Sequence, residues 1–453
     1  MIHADFRTAL GDIPVIEDDI GVKRKSRDYF WYSPILYEQL RDKTAELVVC
    51  PRNEADVVTI AAACARYGVP LTPRGGGTGN YGQAMPFEGG IVLDTLLLDR
   101  LLWVRDGVAR VQAGKLLYDM DQELRGHGKE LRMFPSTKRI ATIGGHIGGG
   151  AGGIGSLNWG FLDDRGNVLG ARIVTLEEEP RIIELRGKDT DLINRSFGTT
   201  GIITELEVPV EDFTPWRDVV VAFDDFISAV HFAQEFTASP GIAKHQCAVV
   251  DSTLTPYFTP LAQAVPAGKA IAILMVAPSG IASTTEIAAL HGGRVVHEED
   301  TAEAESNAAK TPVYEFCWNH TTLQVLKQDR SVTYIQAVFP AEHMYRDIVA
   351  LRERFGDEVL WHLEFIRAGA GVACTGASVI RYSAAERLEE IMALHEQQGV
   401  IIVNPHVSTL EDGARDVRSF QDRALFKQEV DPYGLLNPGK MRDYKPTKPR
   451  RAG

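Results

Sequence analysis

The chain reads as an α+β protein, and three observations lead there. Strand-like and helical runs are interspersed through the first 210 residues, glycine clusters are concentrated in that part, and from Asp212 onward strands and helices alternate one by one. In order, ELVVCP is a short strand, and Asn53 is placed to cap a helix through NEADVVTIAAACARYG, with Glu54 and Asp56 in its first turn and Gly68 near its end. VPLTP, GGIVLD, ARVQAG, RIVTLEEE and IITELEVPV have strand-like alternation or β-branched content, and LYDMDQELRGHG is a helix with a glycine stop. Further on, VVVAFDDFISAVHFAQEF, KAIAILMVAPSGIASTTEIAALHGG and RSVTYIQAVFPAEHMYRDIVALRERFGD each give a strand followed by a helix, and EVLWHLEFI and VIIVNPH give further strands. These predict an open, mainly antiparallel sheet with helices covering one face. The closing block, DGARDVRSFQDRALFKQEVDPYGLLNPGKM, is a helix stopped at Asp431-Pro432 and then a loop. The expected division is 1–211, 212–400 and 401–453.

Composition narrows the class. With 453 residues, 44% hydrophobic and 24% charged, the chain is long enough for two or three domains with a sizeable core. A formal net charge of −13 argues against nucleic acid as a partner, and the basic tail from Lys445 is short and proline-rich. The five cysteines form no CxxC pair, which excludes an iron–sulfur or structural zinc motif and fits reduced thiols. MIHADFRTALGDIP lacks the apolar core of a signal peptide, and no apolar run is long enough to span a bilayer. The expectation is a cytoplasmic protein; homo-oligomerisation stays open.

The most informative segments are LTPRGGGTGNYG (Leu71 to Gly82) and PSTKRIATIGGHIGGGAGGIG (Pro135 to Gly155). Glycine is costly to order, and runs of backbone N–H groups without side chains in the way form concavities that suit a pyrophosphate. Both segments match GxGxxG by letter, at Gly77, Gly79, Gly82 and at Gly150, Gly152, Gly155. A Rossmann reading fails on context: QAMPFEGG is too short and too broken by Pro86, Gly89 and Gly90 to be the required helix, and SLNWGFLDDRGN has no sustained helical period.

These motifs resemble those of the FAD-linked oxidoreductases of the vanillyl-alcohol oxidase and p-cresol methylhydroxylase (PCMH) type. The matching stretches are PRGGGTG (Pro73 to Gly79), PST with ATIGG (Pro135 to Thr137, Ala141 to Gly145), FGTTGIITELEV within Ser196 to Val208, and DPYGLLNPGK (Asp431 to Lys440). The resemblance spans about the first 210 and last 50 residues and is closest to the glycolate oxidase and D-lactate dehydrogenase branch. It implies a PCMH-type two-part FAD-binding domain joined to a substrate domain. It implies FAD contacts at Pro73, Arg74, Gly75, Gly76, Gly77, Thr78, Gly79, Asn80, Pro135, Ser136, Thr137, Thr142, Gly144, Gly145, Gly152, Asn158, Ile203, Asn437 and Lys440. Two departures matter. Thr78 stands where members with covalent flavin often have a histidine, and no cysteine lies between Gly144 and Gly170, so FAD is expected to be held non-covalently. The GDGNxH and EHG segments of the metal-dependent 2-hydroxyacid dehydrogenases are absent, so no metal is expected.

A flavin dehydrogenase needs a base for the substrate proton, and histidine suits that role near neutral pH. His320 in the polar insert CWNHTTL and His406 after Asn404-Pro405 are the candidates, while His362 and Glu364 alternate on one strand face and His245 opens KHQCAVV. An anionic substrate calls for an arginine fork, with Arg367 the catalytic candidate and Arg381 behind it; Trp318, Tyr32 and Trp31 could wall an aromatic pocket. The expected activity is hydride removal from a small hydroxylated substrate, most naturally a 2-hydroxy acid, with a separate electron acceptor such as oxygen, a quinone or an electron-transfer protein. An oxidase of phenolic or other alcohols, or a flavin-binding subunit of a larger complex, are the alternatives.

Overall fold

The computed structural model describes residues 4–150, 152–413 and 417–450. Its first sheet runs Val15–Ile16, Leu47–Val49, Ile91–Asp94, Leu71–Arg74, and its last three strands are parallel. The crossover between Leu47–Val49 and Leu71–Arg74 is the helix Glu54–Tyr67. Asn53 Oδ1 accepts the Asp56 amide at 2.9 Å, and Gly68 ends the helix in the left-handed region at φ 67°. Val57, Ile60, Ala61 and Cys64 on one stripe are buried against the strands. The C-terminal segment returns to this sheet: Leu71 N donates to Leu435 O at 2.8 Å and Asn437 N to Leu71 O at 2.7 Å.

A second, antiparallel sheet runs Leu101–Arg105, Val108–Gln112, Ile202–Asp212, Gly170–Val174, Ile182–Arg186, with Lys129–Leu131 paired to the far end of Ile202–Asp212. The third sheet has eight antiparallel strands in the order Arg294–Asp300, Arg217–Phe223, Ala270–Val276, Lys244–Val250, His362–Ala368, Gly371–Gly376, Gln336–Phe339, Ile401–Val403. Its strands alternate as a two-sided sheet requires. Val219, Val221 and Phe223 pack with the helices Phe226–Ala238, Met344–Phe355 and Ala385–Gln397, while Val220 and Ala222 face the opposite layer with Tyr32, Phe258 and Phe316.

Three sequence expectations need correction. VTYIQAVF is two strands, because the chain turns at Ile335 and sends Val332–Tyr334 into a separate three-stranded sheet. EVLWHLEFI breaks likewise at Trp361. Ile401–Val403 pairs with Gln336–Phe339, so it belongs to the large sheet and not to the returning C-terminal segment expected from residue 401. The SLNW that follows the second glycine segment makes a single helical turn, Ser156–Trp159, and the segment itself contains a short helix, Ile143–Gly149.

Its start is clamped to the third sheet's side of the molecule by a buried ion cluster. Lys138 Nζ lies 2.8 Å from Asp121 Oδ2 and 2.7 Å from Glu305 Oε1; Arg125 reaches both carboxylates, and Tyr314 Oη donates to Glu305. Burial works against the Asp121 carboxylate, but Lys138 and Arg125 outweigh it and hold its pKa below the ordinary value. The stability Asp121 contributes is therefore present above its unfolded pKa and is lost as pH falls through the depressed folded value. Lys138→Met leaves two buried carboxylates sharing the charge of Arg125 and should cost about 3 kcal/mol in urea denaturation. Adding Glu305→Gln should recover part of that loss. A double variant that loses the full sum of the single losses would contradict the coupling.

Candidate active site in a glycine-lined cleft

A cavity of about 240 Å³ opens where the three large structural parts meet. The first glycine loop, the start of the helix Ile143–Gly149, and the insert carrying Trp318, Asn319 and His320 form its walls. The two glycine segments touch backbone to backbone. A Cβ at Gly75 would strike Thr142 Oγ1, one at Gly76 the Ile140 carbonyl oxygen, and one at Gly144 the Ala113 carbonyl oxygen. Gly77 adds a φ of 65°, which side chains resist. Thr142 caps the short helix by accepting the Gly145 amide at 3.1 Å. Four of that helix's seven residues are glycine, each costing about 1 kcal/mol relative to alanine, so the helix persists through its packing and not its propensity. Its exposed carbonyls are used: Gly148 O accepts from Phe197 N at 2.8 Å and Gly149 O from Gln83 Nε2 at 3.1 Å.

Backbone strain gathers here. Among the described residues five non-glycines have positive φ: Asp106, Arg195, Phe197, Trp318 and Asn437. Arg195, Phe197 and Trp318 line the cleft, and Asn437 supports it from behind by donating to Gln83 O at 2.9 Å and Phe197 O at 2.5 Å. Such conformations cost of order 1–3 kcal/mol each and last only where their surroundings impose them. For Trp318, at φ 54°, the agent is visible. Its amide donates at 2.5 Å to Oε1 of the fully buried Glu364, which also takes His362 Nε2 at 2.7 Å, while Gln246 Nε2 donates to the other oxygen. The strand face shared by His362 and Glu364 thus holds the insert, and through it His320.

His320 Nδ1 lies 3.0 Å from the Glu315 carbonyl, which can only accept, so Nδ1 carries the proton and Nε2 keeps its lone pair. Burial pushes this imidazole down to about 4, so it is neutral at pH 7. His146, unforeseen in the sequence, also lines the cleft; its Nε2 has no hydrogen-bond partner, and burial again lowers it to about 4.

The structure gathers most of the sequence candidates and disperses the rest. Pro73, Arg74, Gly75, Gly76, Gly77, Thr78, Gly79, Asn80, Pro135, Ser136, Thr137, Thr142, Gly144, Gly145, Gly152, Ile203 and His320 line the cleft, as do Trp318 and Tyr32. His406 does not: its ring is pinned between Ser33 Oγ at 2.8 Å and the Tyr334 carbonyl at 2.9 Å, which leaves neither nitrogen free. Arg367 does not either; it is exposed at the end of His362–Ala368, where the strand has already left the site. Arg381 is exposed and donates to the Asp357 carbonyl. Asn158 turns away to the Lys244 carbonyl at 2.7 Å, and Lys440 is buried beside Asp28, donating to Gly82 O. With Asn437 they buttress the loops and do not line the cleft. Tyr29, Arg195 and Gln336 line it without having been foreseen, because each belongs to a segment with no local signal of its own, and so do Tyr81 and Gln83, at the end of a loop whose signal was its glycines.

Residues 45–183 match the FAD binding domain family. The chain carries an FAD-binding domain of this family, and FAD is its cofactor. Over 195 residues it is 31% identical to the glycolate oxidase subunit GlcD of Bacillus subtilis (strain 168), covering 41% of each chain. Over 178 residues it is 38% identical to D-2-hydroxyglutarate dehydrogenase of Escherichia coli (strain K12), covering 36% of this chain and 17% of that one. The chain thus spans less than half the length of these relatives. A solved structure of alkyldihydroxyacetonephosphate synthase superposes with a TM-score of 0.72 at 17% identity, covering 97% of this chain and 86% of that one, which shows a common fold. Among the described residues no group of His, Cys, Asp or Glu could hold a metal, and no helix is long and apolar enough to cross a membrane.

FAD fits the cleft on its own features. The side-chain-free loops leave backbone N–H groups for a diphosphate, and Arg74 Nε, His146 Nε2 and Trp318 Nε1 are buried polar atoms still without partners. Gly76→Val should therefore purify colourless, whereas Gly241→Ala, which meets nothing within 4 Å, should stay yellow. Equal flavin content in the two variants, read from visible absorbance, would place the cofactor elsewhere.

Proposed function

We propose that the protein is an FAD-dependent oxidoreductase that removes a hydride from the carbon of a small 2-hydroxy acid. The observation that carries this reading is His320: a neutral imidazole with a free Nε2 lone pair on the same cleft as both glycine segments. When bound, FAD supplies the two-electron acceptor. His320 Nε2 takes the hydroxyl proton, and the Glu315 carbonyl steadies the ring as it becomes charged. Pro73 to Asn80, Ser136, Thr137, Thr142, Gly144 and Gly145 hold the cofactor, and Trp318 closes the wall against water. The names of the glycolate oxidase subunit and the D-2-hydroxyglutarate dehydrogenase support the substrate class. A second reading, oxidation of phenolic alcohols, draws on Tyr29, Tyr32, Tyr81 and Trp318 in the lining. In either case a separate acceptor reoxidises the flavin.

FAD is held non-covalently in this reading, since Thr78 and not histidine stands in the first loop. Acid precipitation should then release the flavin; yellow colour left in the pellet would show a covalent link. The deciding experiment is anaerobic titration of the yellow protein with D- and L-lactate, glycolate, D-2-hydroxyglutarate and vanillyl alcohol. A 2-hydroxy acid should bleach the flavin, and His320→Asn should keep the flavin spectrum while slowing bleaching by about 10²–10⁴. Because the ring is neutral above about 4, the bleaching rate should fall as pH approaches that value, and not near the ordinary histidine range. Bleaching by vanillyl alcohol alone, or an unimpaired His320→Asn, would contradict the proposal.

A further inference from the structure

We propose that Arg195 is the specificity residue of the cleft and anchors the substrate's carboxylate through its guanidinium; this rests on the hydroxy-acid reading above. Arg195 has a φ of 50°, a conformation that costs an arginine free energy, and its amide is fixed at 2.8 Å on the Ile147 carbonyl. Two residues on, Phe197 is fixed in the same way to Gly148, so the strained turn is seamed onto the glycine-rich helix. The turn places Arg195 in the cleft lining.

The side chain has no hydrogen-bond or ion-pair partner among the described residues. The other arginines in that position, such as Arg24, Arg66, Arg165, Arg294, Arg354 and Arg367, are exposed, whereas Arg195 is half-buried. A guanidinium removed from water without a counter-charge is unfavourable unless an anion joins it. Two anions could do so, the diphosphate of FAD and the carboxylate of a substrate. The surroundings favour the second. Burial pushes the Tyr81 phenol up and the nearby Arg195 charge opposes that only in part, while the Tyr81 hydroxyl donates at 2.6 Å to Gln336, a strand residue of the large sheet. That is the side of the cleft where the large sheet and the insert contribute, and the diphosphate already has the backbone N–H groups of the glycine loops. The guanidinium fork matches a carboxylate with two parallel hydrogen bonds, which an amide or ester of the same acid cannot accept equally well.

The test uses the FAD-loaded protein and oxalate as the probe, following perturbation of the visible flavin spectrum. Wild type should show saturable binding. Arg195→Gln should weaken it on the order of tenfold to a hundredfold, and Arg195→Lys by less. Arg195→Gly, which suits the positive φ, should match the glutamine variant and guards against a misfolded protein. FAD affinity, read by flavin fluorescence, should be unchanged in all three. Oxalate binding that is absent in wild type or unaffected by the substitutions overturns the proposal, as does a loss of FAD affinity, which would assign Arg195 to the diphosphate. The two readings separate cleanly. If a 2-hydroxy acid bleaches wild type and Arg195→Gln with one KM, the anchor falls and the hydroxy-acid reading stands. If oxalate binding depends on Arg195 while no 2-hydroxy acid bleaches the flavin, the oxidation reading falls and the anion anchor stands.

Discussion

The two glycine segments meet where neither can carry a side chain, and the cleft exists because of that contact. Gly75 and Gly76 lie against Ile140 to Thr142 so closely that any Cβ would displace backbone or a capping hydroxyl. One segment ends a strand of the parallel sheet and the other leads into a helix packed on the antiparallel sheet, so their contact fixes how the two sheets face each other. Glycine's conformational freedom in the unfolded chain makes this arrangement expensive, at roughly 0.5–1 kcal/mol for each such residue. The Lys138 cluster and the returning Leu435 to Asn437 segment hold the two sides in place against that cost.

The large sheet contributes through its inner layer. One face is filled by helices, among them Phe226–Ala238, Ile281–Leu290, Met344–Phe355 and Ala385–Gln397. The other presents Glu364 and His362, whose hydrogen bonds reach the insert and impose the Trp318 conformation. A buried carboxylate that accepts from a backbone amide, an imidazole and a carboxamide is well satisfied, and replacing any donor leaves it short. The arrangement separates two duties: the glycine loops recognise a cofactor through backbone, and the insert with its buried support offers side-chain chemistry. Strain at Arg195, Phe197 and Trp318 marks the line where those duties join.

Much of this was legible in the sequence where the signal is local. Glycine density exposed both loops, since few other roles need so many residues without side chains in so short a span. Asn53 and Gly68 marked the ends of the helix Glu54–Tyr67 because capping depends on neighbouring residues alone. The failures are non-local. His320 and His406 look alike in sequence, yet His406 is consumed by Ser33, more than 370 positions away, and by Tyr334. Arg367 follows a buried strand and seemed well placed, but the part of that strand which serves the site is Glu364. Tyr81 sits in a loop read only for its glycines, Arg195 just precedes a motif that begins at Ser196, and Gln336 lies in a strand whose break at Ile335 no periodicity reveals.

FAD bound as proposed lies between the two glycine segments with its reactive ring toward Trp318 and His320. A crystal structure of the flavin-loaded protein tests it most directly. Density is expected for the diphosphate on the backbone of Gly75 to Gly79 and Thr142 to Gly145, with the ring beside Trp318. A diphosphate bound away from those loops, or a ring shielded from His320 by intervening protein, would contradict it.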